Sequence, residues 1–393
     1  MASAAPSVVI ASAMRTAVGT ARKGSLVNTP PEVLAAIAIR AAVERSGIAP
    51  DLIDDVVMAE SLAGGGAIAR HAAVSLGMVQ AGGMAVNRHC AGGLSAVGIA
   101  AGAIISGMER IIVAGGVNSS SLMPRMQQRN PVTQELQDWF PPTHPDSPEA
   151  PNRDMSITVG WNAAKSLGLT RQEQDAWALR SHQRAIAAID AGNFIDEIVP
   201  VTVKNAQGQD VEFKVDEFPR RETSMERLAS LAVLHPEIEG FSITAGNASG
   251  GNDAAAALVV TTADIAKSHG SKVLAKILGW TSIGVEPAKT GLSVPAVVEK
   301  LLARTGVTLK DIRLWEINEA FASVPLGVCR VMRLDEETVN ISGSGCSIGH
   351  PIGASGARMI TTLCNDLRRR GGGLGIAAMC AGGGQAGAVL IEV

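Results

Sequence analysis

The chain has 393 residues, 46% of them hydrophobic, and its 34 basic and 37 acidic side chains leave a net charge of -3. That length supports a large core in two or three units. Near-neutrality without a long run of one sign leaves no electrostatic footprint for nucleic acid, so a small molecule or a second copy of the chain is the expected partner.

Five cysteines with no Cys-x-x-Cys pair argue against a disulfide framework or a structural metal site and for a reducing compartment. The start, Met1-Ala2-Ser3-Ala4-Ala5-Pro6, lacks the basic region and apolar core of a secretory signal. Apolar runs such as 97–105 fall short of the roughly 20 residues of a membrane span. A cytoplasmic protein without membrane contact is expected.

In chain order, Val8-Val9-Ile10 predicts a strand, 33–44 an amphipathic helix ending at Ser46-Gly47, and Val56-Val57-Met58 a second strand. After Val86-Asn87-Arg88-His89-Cys90 an Ala/Gly/Ile-rich helix begins near Ala91, followed by a strand from Ile111 to Ala114-Gly115-Gly116. This alternation predicts an α/β fold with a parallel or mixed sheet. With 43 glycines, 6 Phe, 5 Trp and no Tyr, helices should pack closely on small residues, and tyrosine is removed as an acid or base.

The same order returns in the second half as Thr305-Gly306, a strand from Asp311, Val339-Asn340 and Ala381-Gly382-Gly383, at offsets of 259 (306 minus 47), 253 (340 minus 87) and 267 (382 minus 115) residues. These offsets describe an internal repeat and pair Cys380 with Val113 and Cys90 with Gly343. The second copy closes at once with Ala388-Val389-Leu390-Ile391, whereas the first waits until Ala257-Leu258-Val259-Val260. The chain therefore divides into an N-terminal half (1–118 with 250–269), an inserted loop domain (119–249) and a C-terminal half (270–393). The insert opens irregularly over 119–152, which hold seven prolines, and continues in a helix over 170–189, with Thr170 and Glu173 as its capping box.

Chemistry concentrates in a few places. Cys90 lies at a helix start, where the dipole should lower its pKa from about 8.5; a small buried core thiol is the competing reading. His350 sits between Gly349 and Pro351 in a glycine-rich loop leading into a helix, the setting of a rigidly held base or donor, or of a simple turn histidine. Cys380 ends a strand and opens Gly382-Gly383-Gly384, whose backbone N–H groups can face an oxyanion. Asn318 ends another strand and could position a water, His89 has a weaker claim, and Cys329 and Cys364 read as core. The phosphate-binding Gly-x-x-x-x-Gly-Lys-Ser/Thr pattern is absent.

Together the residues resemble the thiolases, from Arg15-Thr16-Ala17-Val18-Gly19 to the C-terminus. The motifs are Asn87-Arg88-His89-Cys90, Asn318-Glu319-Ala320-Phe321, Gly349-His350-Pro351-Ile352-Gly353-Ala354-Ser355-Gly356 and Cys380-Ala381-Gly382-Gly383-Gly384. The resemblance implies a five-layered α/β/α/β/α core from two similar halves, a covering loop domain and assembly as a homodimer or homotetramer. It implies Cys90 as the acylated nucleophile, His350 as promoter of its deprotonation and Cys380 as the acid/base at the enolate. One oxyanion site would comprise His350 and a water on Asn318, the other the N–H groups of Cys90 and Gly382.

Coenzyme A is implied as co-substrate, with no permanently bound cofactor. Arg220 would lie near its adenine, Ser249 would face its pantetheine, and Phe321 and Met155 would line the acyl pocket. Asn118 stands where the family often has glutamate, and Thr290-Gly291-Leu292-Ser293-Val294-Pro295 where it has Met-Gly-x-Gly-Pro. Asp154 stands where short-chain members often have histidine, which points to a longer or unusual 3-ketoacyl-CoA. The expected reaction is thiolysis of a 3-ketoacyl-CoA to acetyl-CoA and a shortened acyl-CoA. Its rivals are an acetoacetyl-CoA thiolase in the condensing direction and an inactive lipid-binding protein of the same fold.

Overall fold

The computed structural model describes residues 6–63 and 65–393, so Met1 to Ala5 of the N-terminal reading lie outside the described residues. The N-terminal half supplies strands β1 (Val8–Thr16), β2 (Asp55–Ala59), β3 (Met84–Val86), β4 (Ile111–Ser119) and β5 (Asn252–Thr262). The C-terminal half supplies β6 (Ala275–Gly284), β7 (Ile312–Ile317), β8 (Leu374–Ala381) and β9 (Gln385–Glu392). Their spatial order is β7-β8-β9-β6-β1-β5-β4-β2-β3.

Read outward from the centre, each half repeats one plan. β1, β5, β4 and β2 on one side answer to β6, β9, β8 and β7 on the other, with antiparallel pairs followed by a parallel one. In the sheet the halves join along β1 and β6, where Val9 pairs with Lys276 and Ile10 with Ala275.

Both faces of β1, β4, β5, β8 and β9 are buried, and successive side chains alternate between them. In β5, Ala255, Ala257 and Val259 face an outer core with α1 (Pro31–Ser46) and α2 (Ile68–Ser75), while Ala256, Leu258 and Val260 face a central core. In β9, Ala388 and Leu390 face a second outer core with α5 (Ser293–Thr305) and α6 (Ser323–Met332), and Val389 and Ile391 face the same centre. That centre is filled by α3 (Gly92–Ser106) and α7 (Ile352–Arg369), which completes five layers. By hydropathy alone 89–106 is apolar enough to cross a membrane, contrary to the reading of 97–105, but in this fold most of it is the buried helix α3.

The two central helices meet at glycine. A Cβ on Gly93 would fall 2.7 Å from the Ala357 nitrogen, and one on Gly356 would fall 2.3 Å from the Leu94 nitrogen. Only glycine permits that approach, and it brings the segments preceding the two helices together. The helix starts differ by 260 residues (352 minus 92), so Cys90 and His350 each stand two residues ahead of equivalent helices. This corrects the pairing of Cys90 with Gly343: the connection after Asn340 is longer than the one after Asn87, and an offset taken at the asparagines does not carry through it.

Residues 120–251 leave and re-enter between two neighbouring antiparallel strands, β4 and β5. The proline-rich stretch is less irregular than expected, since Met126–Arg129 and Leu136–Trp139 form an antiparallel hairpin. The long helix α4 (Arg171–Asp190) starts with the predicted Thr170/Glu173 capping box. The excursion is tied down by a buried charge network. Arg15 of β1 bonds Glu197 through Nε at 2.7 Å and Asp216 through its two terminal nitrogens at 2.8 and 2.9 Å, while Thr362 and Asn365 of α7 also donate to Glu197.

Removing one member of such a set strands the others in a dry interior. Asp216→Ala is therefore expected to cost about 3–5 kcal/mol of stability, read as a lower guanidinium midpoint. A loss under about 1 kcal/mol, the scale of an exposed pair, would show that the network contributes no more than a surface bridge.

Candidate active site

Cys90 lies in the turn between β3 and α3, next to His89, whose left-handed φ of 44° sharpens that turn. The thiol is half-buried and faces two backbone N–H groups, its own and that of Gly382. The sequence led us to expect a lowered pKa, but burial pushes this thiol up to about 11, with the two N–H groups opposing the shift. Desolvation outweighs the helix terminus here. In the unliganded protein Cys90 is a thiol held beside preformed donors.

Gly382 belongs to the three-residue turn joining β8 to β9, whose next two glycines have φ of 81° and 73°. A Cβ on Gly384 would lie 2.2 Å from the Val285 carbonyl oxygen, which fixes the turn against the segment that follows β6. Cys380 ends β8 opposite Ala386 and is buried. Burial, and secondarily the nearby Cys90, push its pKa well up, so it too is a neutral thiol. The ring of His89 rests against Gly382.

His350 enters from the other half. Its N–H donates to Asn252 Oδ1 at 2.9 Å, and its Nδ1 lies 2.7 Å from Ser355 Oγ. The Ser355 hydroxyl hydrogen is directed at the Pro351 carbonyl, 2.9 Å away, so the serine accepts from Nδ1–H and leaves Nε2 as the basic nitrogen. Burial, followed by the positive charge of Arg358, pushes the imidazole down to about 3, and it is neutral at physiological pH. Asn318 places its Nδ2 3.3 Å from both ring nitrogens, and its buried Oδ1 has no partner.

Four segments bring these residues together: the start of α3 with Cys90, the end of β8 and its turn with Cys380 and Gly382, and the segments before α6 and α7 with Asn318 and His350. The arrangement offers a nucleophile, a neutral base, a protonated thiol and two sets of hydrogen-bond donors. Such a set can transfer an acyl group and stabilise an enolate.

Phe321 and Met155 share one apolar cluster with Trp161, Phe241 and Ile243. Ser249 donates its N–H to the Ala320 carbonyl at 2.9 Å, which sets it beside Phe321. Arg220 lies apart from the thiols, on the wall of a cavity of about 340 Å³ that it shares with His182, Leu228, Leu231, Gly246 and Cys346. Cys346 belongs to the loop carrying His350, so this cavity lies between the surface and the catalytic loops. Asp154 is paired with His235 at 2.7 Å, and His235 also meets Glu237 at 2.7 Å.

Residues 8–264 match the model of the thiolase N-terminal domain and residues 271–393 that of the thiolase C-terminal domain. The chain belongs to the thiolase family.

Among its relatives, an acetyl-CoA acetyltransferase of Pseudomonas aeruginosa is 39% identical, the match covering 96% of this chain and 97% of the relative. One of Escherichia coli is 39% identical over 98% of each. Human mitochondrial 3-ketoacyl-CoA thiolase superposes with a TM-score of 0.90 at 31% identity, covering 98% of this chain and 99% of that one. Its complex with CoA gives 0.89 at 31% identity, covering 98% of each. This thiolase is accordingly an acyltransferase enzyme.

Four residues that position this site escaped the sequence reading. Asn252, 98 residues from His350, holds the loop by its backbone, and Ser355 sets the tautomer. Glu319 accepts from Trp177 Nε1, Ser181, Asn340 and the Cys346 N–H, pinning the loop before His350. Arg358, paired with Glu316 at 3.0 Å, lies close enough to lower the imidazole's basicity. Of these, Glu319 and Ser355 lie inside the motifs quoted above without having been singled out, and Asn252 heads the apolar run 254–260.

Proposed function

We propose that this thiolase cleaves a 3-ketoacyl-CoA with CoA, releasing acetyl-CoA and an acyl-CoA shortened by two carbons. The observation that carries the reading is the meeting of Cys90 and Cys380 at the N–H groups of Gly382 and Cys90, with neutral His350 held beside Asn318 just ahead of the helix that packs on α3. Nε2 of His350 takes the Cys90 proton as the sulfur attacks the 3-keto carbon. His350, now charged, and a water on Asn318 serve one developing oxyanion; the N–H groups of Cys90 and Gly382 serve the other. The C2–C3 bond breaks and Cys380 gives its proton to the acetyl-CoA enolate; the thiol of CoA then returns a proton to Cys380 as its sulfur takes the acyl group, and the released Cys90 sulfur regains its proton from His350.

Arg220 at the adenine, Ser249 at the pantetheine and Met155 with Phe321 at the acyl chain complete the assignment. The Asp154–His235 pair, in place of a lone histidine, supports an acyl group longer than acetyl. A homodimer or homotetramer in the cytoplasm is part of the same reading, and five free cysteines agree with a reducing compartment.

The names of the bacterial relatives favour a second reading, condensation of two acetyl-CoA to acetoacetyl-CoA. Thiolysis measured on 3-ketoacyl-CoAs of four to sixteen carbons separates the two. We expect kcat/KM to rise beyond four carbons by about tenfold or more, the scale of a few buried methylenes. A maximum at four carbons would favour the second reading, and no turnover on any member would overturn both.

A further inference from the structure

The cavity holding Arg220 does not end there. Arg220, Phe218 and Ala245 also line a larger hollow of about 770 Å³, whose far wall is the turn Thr20-Ala21-Arg22-Lys23. Arg22 and Lys23 are exposed on that wall, and neither takes part in an ion pair among the described residues. The only acidic residue in the hollow, Glu217, is already occupied by the turn itself. It accepts from the Thr20 N–H at 2.6 Å, the Ser25 N–H at 3.0 Å and the Ser25 hydroxyl at 2.8 Å. Arg22, Lys23 and Arg220 against Glu217 leave the lining with a surplus of two positive charges.

The turn is built rigidly for its size. Arg22 has a φ of 67°, and its N–H donates to Ser121 Oγ at 2.7 Å, which in turn donates to Asp253 Oδ2 at 2.5 Å. The Ala21 N–H donates to the Gly251 carbonyl at 2.9 Å. Asn252, which holds the His350 backbone through Oδ1, holds the Gly19 carbonyl through Nδ2 at 3.2 Å. One asparagine therefore fixes both the catalytic loop and the base of the basic turn.

We propose that Arg22 and Lys23 form the subsite for the 3′-phosphate of CoA, so that this chain distinguishes CoA from its 3′-dephospho form. The proposal rests on the placement of the adenine at Arg220. Of the phosphates of CoA, the one on the ribose is the nearest neighbour of the base that does not lie on the path to the thiol. Arg220 borders both hollows, so a ligand whose adenine stands there can place its ribose phosphate in the larger one, against the basic turn. There a guanidinium and an ammonium, both without a carboxylate partner, meet a dianion.

The test is titration calorimetry of CoA and of 3′-dephospho-CoA into the intact wild-type protein and into the R22A/K23A variant at low ionic strength. Wild type should bind CoA about tenfold more tightly than dephospho-CoA, a ratio that shrinks as salt is raised. The variant should bind the two equally, at the wild-type affinity for dephospho-CoA. An R22E/K23E variant with an unchanged melting temperature should prefer dephospho-CoA. Equal binding of both ligands by wild type overturns the subsite, as does a variant that loses the same factor on both. Failure of wild type to bind either ligand removes the functional reading itself, an outcome distinct from loss of discrimination.

Discussion

Cys90→Ser is expected to lower thiolysis by about 10⁴-fold or more while leaving the fold and CoA binding intact. Serine keeps the position and the two N–H donors, but its hydroxyl is far less acidic than even a thiol pushed up to about 11. The base on offer is an imidazole pushed down to about 3, too weak to activate an alcohol as it activates sulfur. The measurement is single-turnover cleavage with mass analysis of the protein, in which wild type gains the acyl mass and the variant does not. Retention of more than about a tenth of the activity would remove Cys90 from the chemistry.

Cys380→Ser separates the two half-reactions. Given a saturated acyl-CoA, which needs no enolate, the variant should still acylate Cys90, whereas cleavage of a 3-ketoacyl-CoA should fall by about 10²–10⁴-fold, the usual contribution of a positioned acid or base. Burial and the neighbouring Cys90 hold the Cys380 thiol protonated, the form needed to quench an enolate. A serine there cannot cycle its proton at a comparable pKa. Equal loss in both assays would mean that Cys380 shapes the site without exchanging a proton.

Much of this was legible in the chain because it is local. The strands reveal themselves by apolar runs buried on both faces, the capping box at Thr170 by spacing, and the helix ends at Gly47 and Gly306 by the left-handed conformation that both adopt. Cys90, His350, Cys380 and Asn318 each stand in a glycine-rich or strand-end context that marks them singly. What stayed hidden is set by distance in sequence and by depth. Asn252 reaches His350 across 98 residues, and nothing near either residue announces the other. The acidity of Cys90 was misjudged for the same reason: a helix terminus can be read from neighbours, whereas desolvation depends on what the second half of the chain lays over the first.

The seam between β4 and β5 has a wider consequence. Two adjacent antiparallel strands hold their ends together whatever joins them, and the second half joins its equivalent pair, β8 and β9, with three glycines. The same junction thus serves once as a tight donor turn and once as the doorway of a domain. The length and content of the excursion are free to vary without disturbing the register of the strands that carry the thiols. Descent can exchange one cover for another while the reaction beneath it stays the same, and specificity in such a scaffold is inherited separately from mechanism.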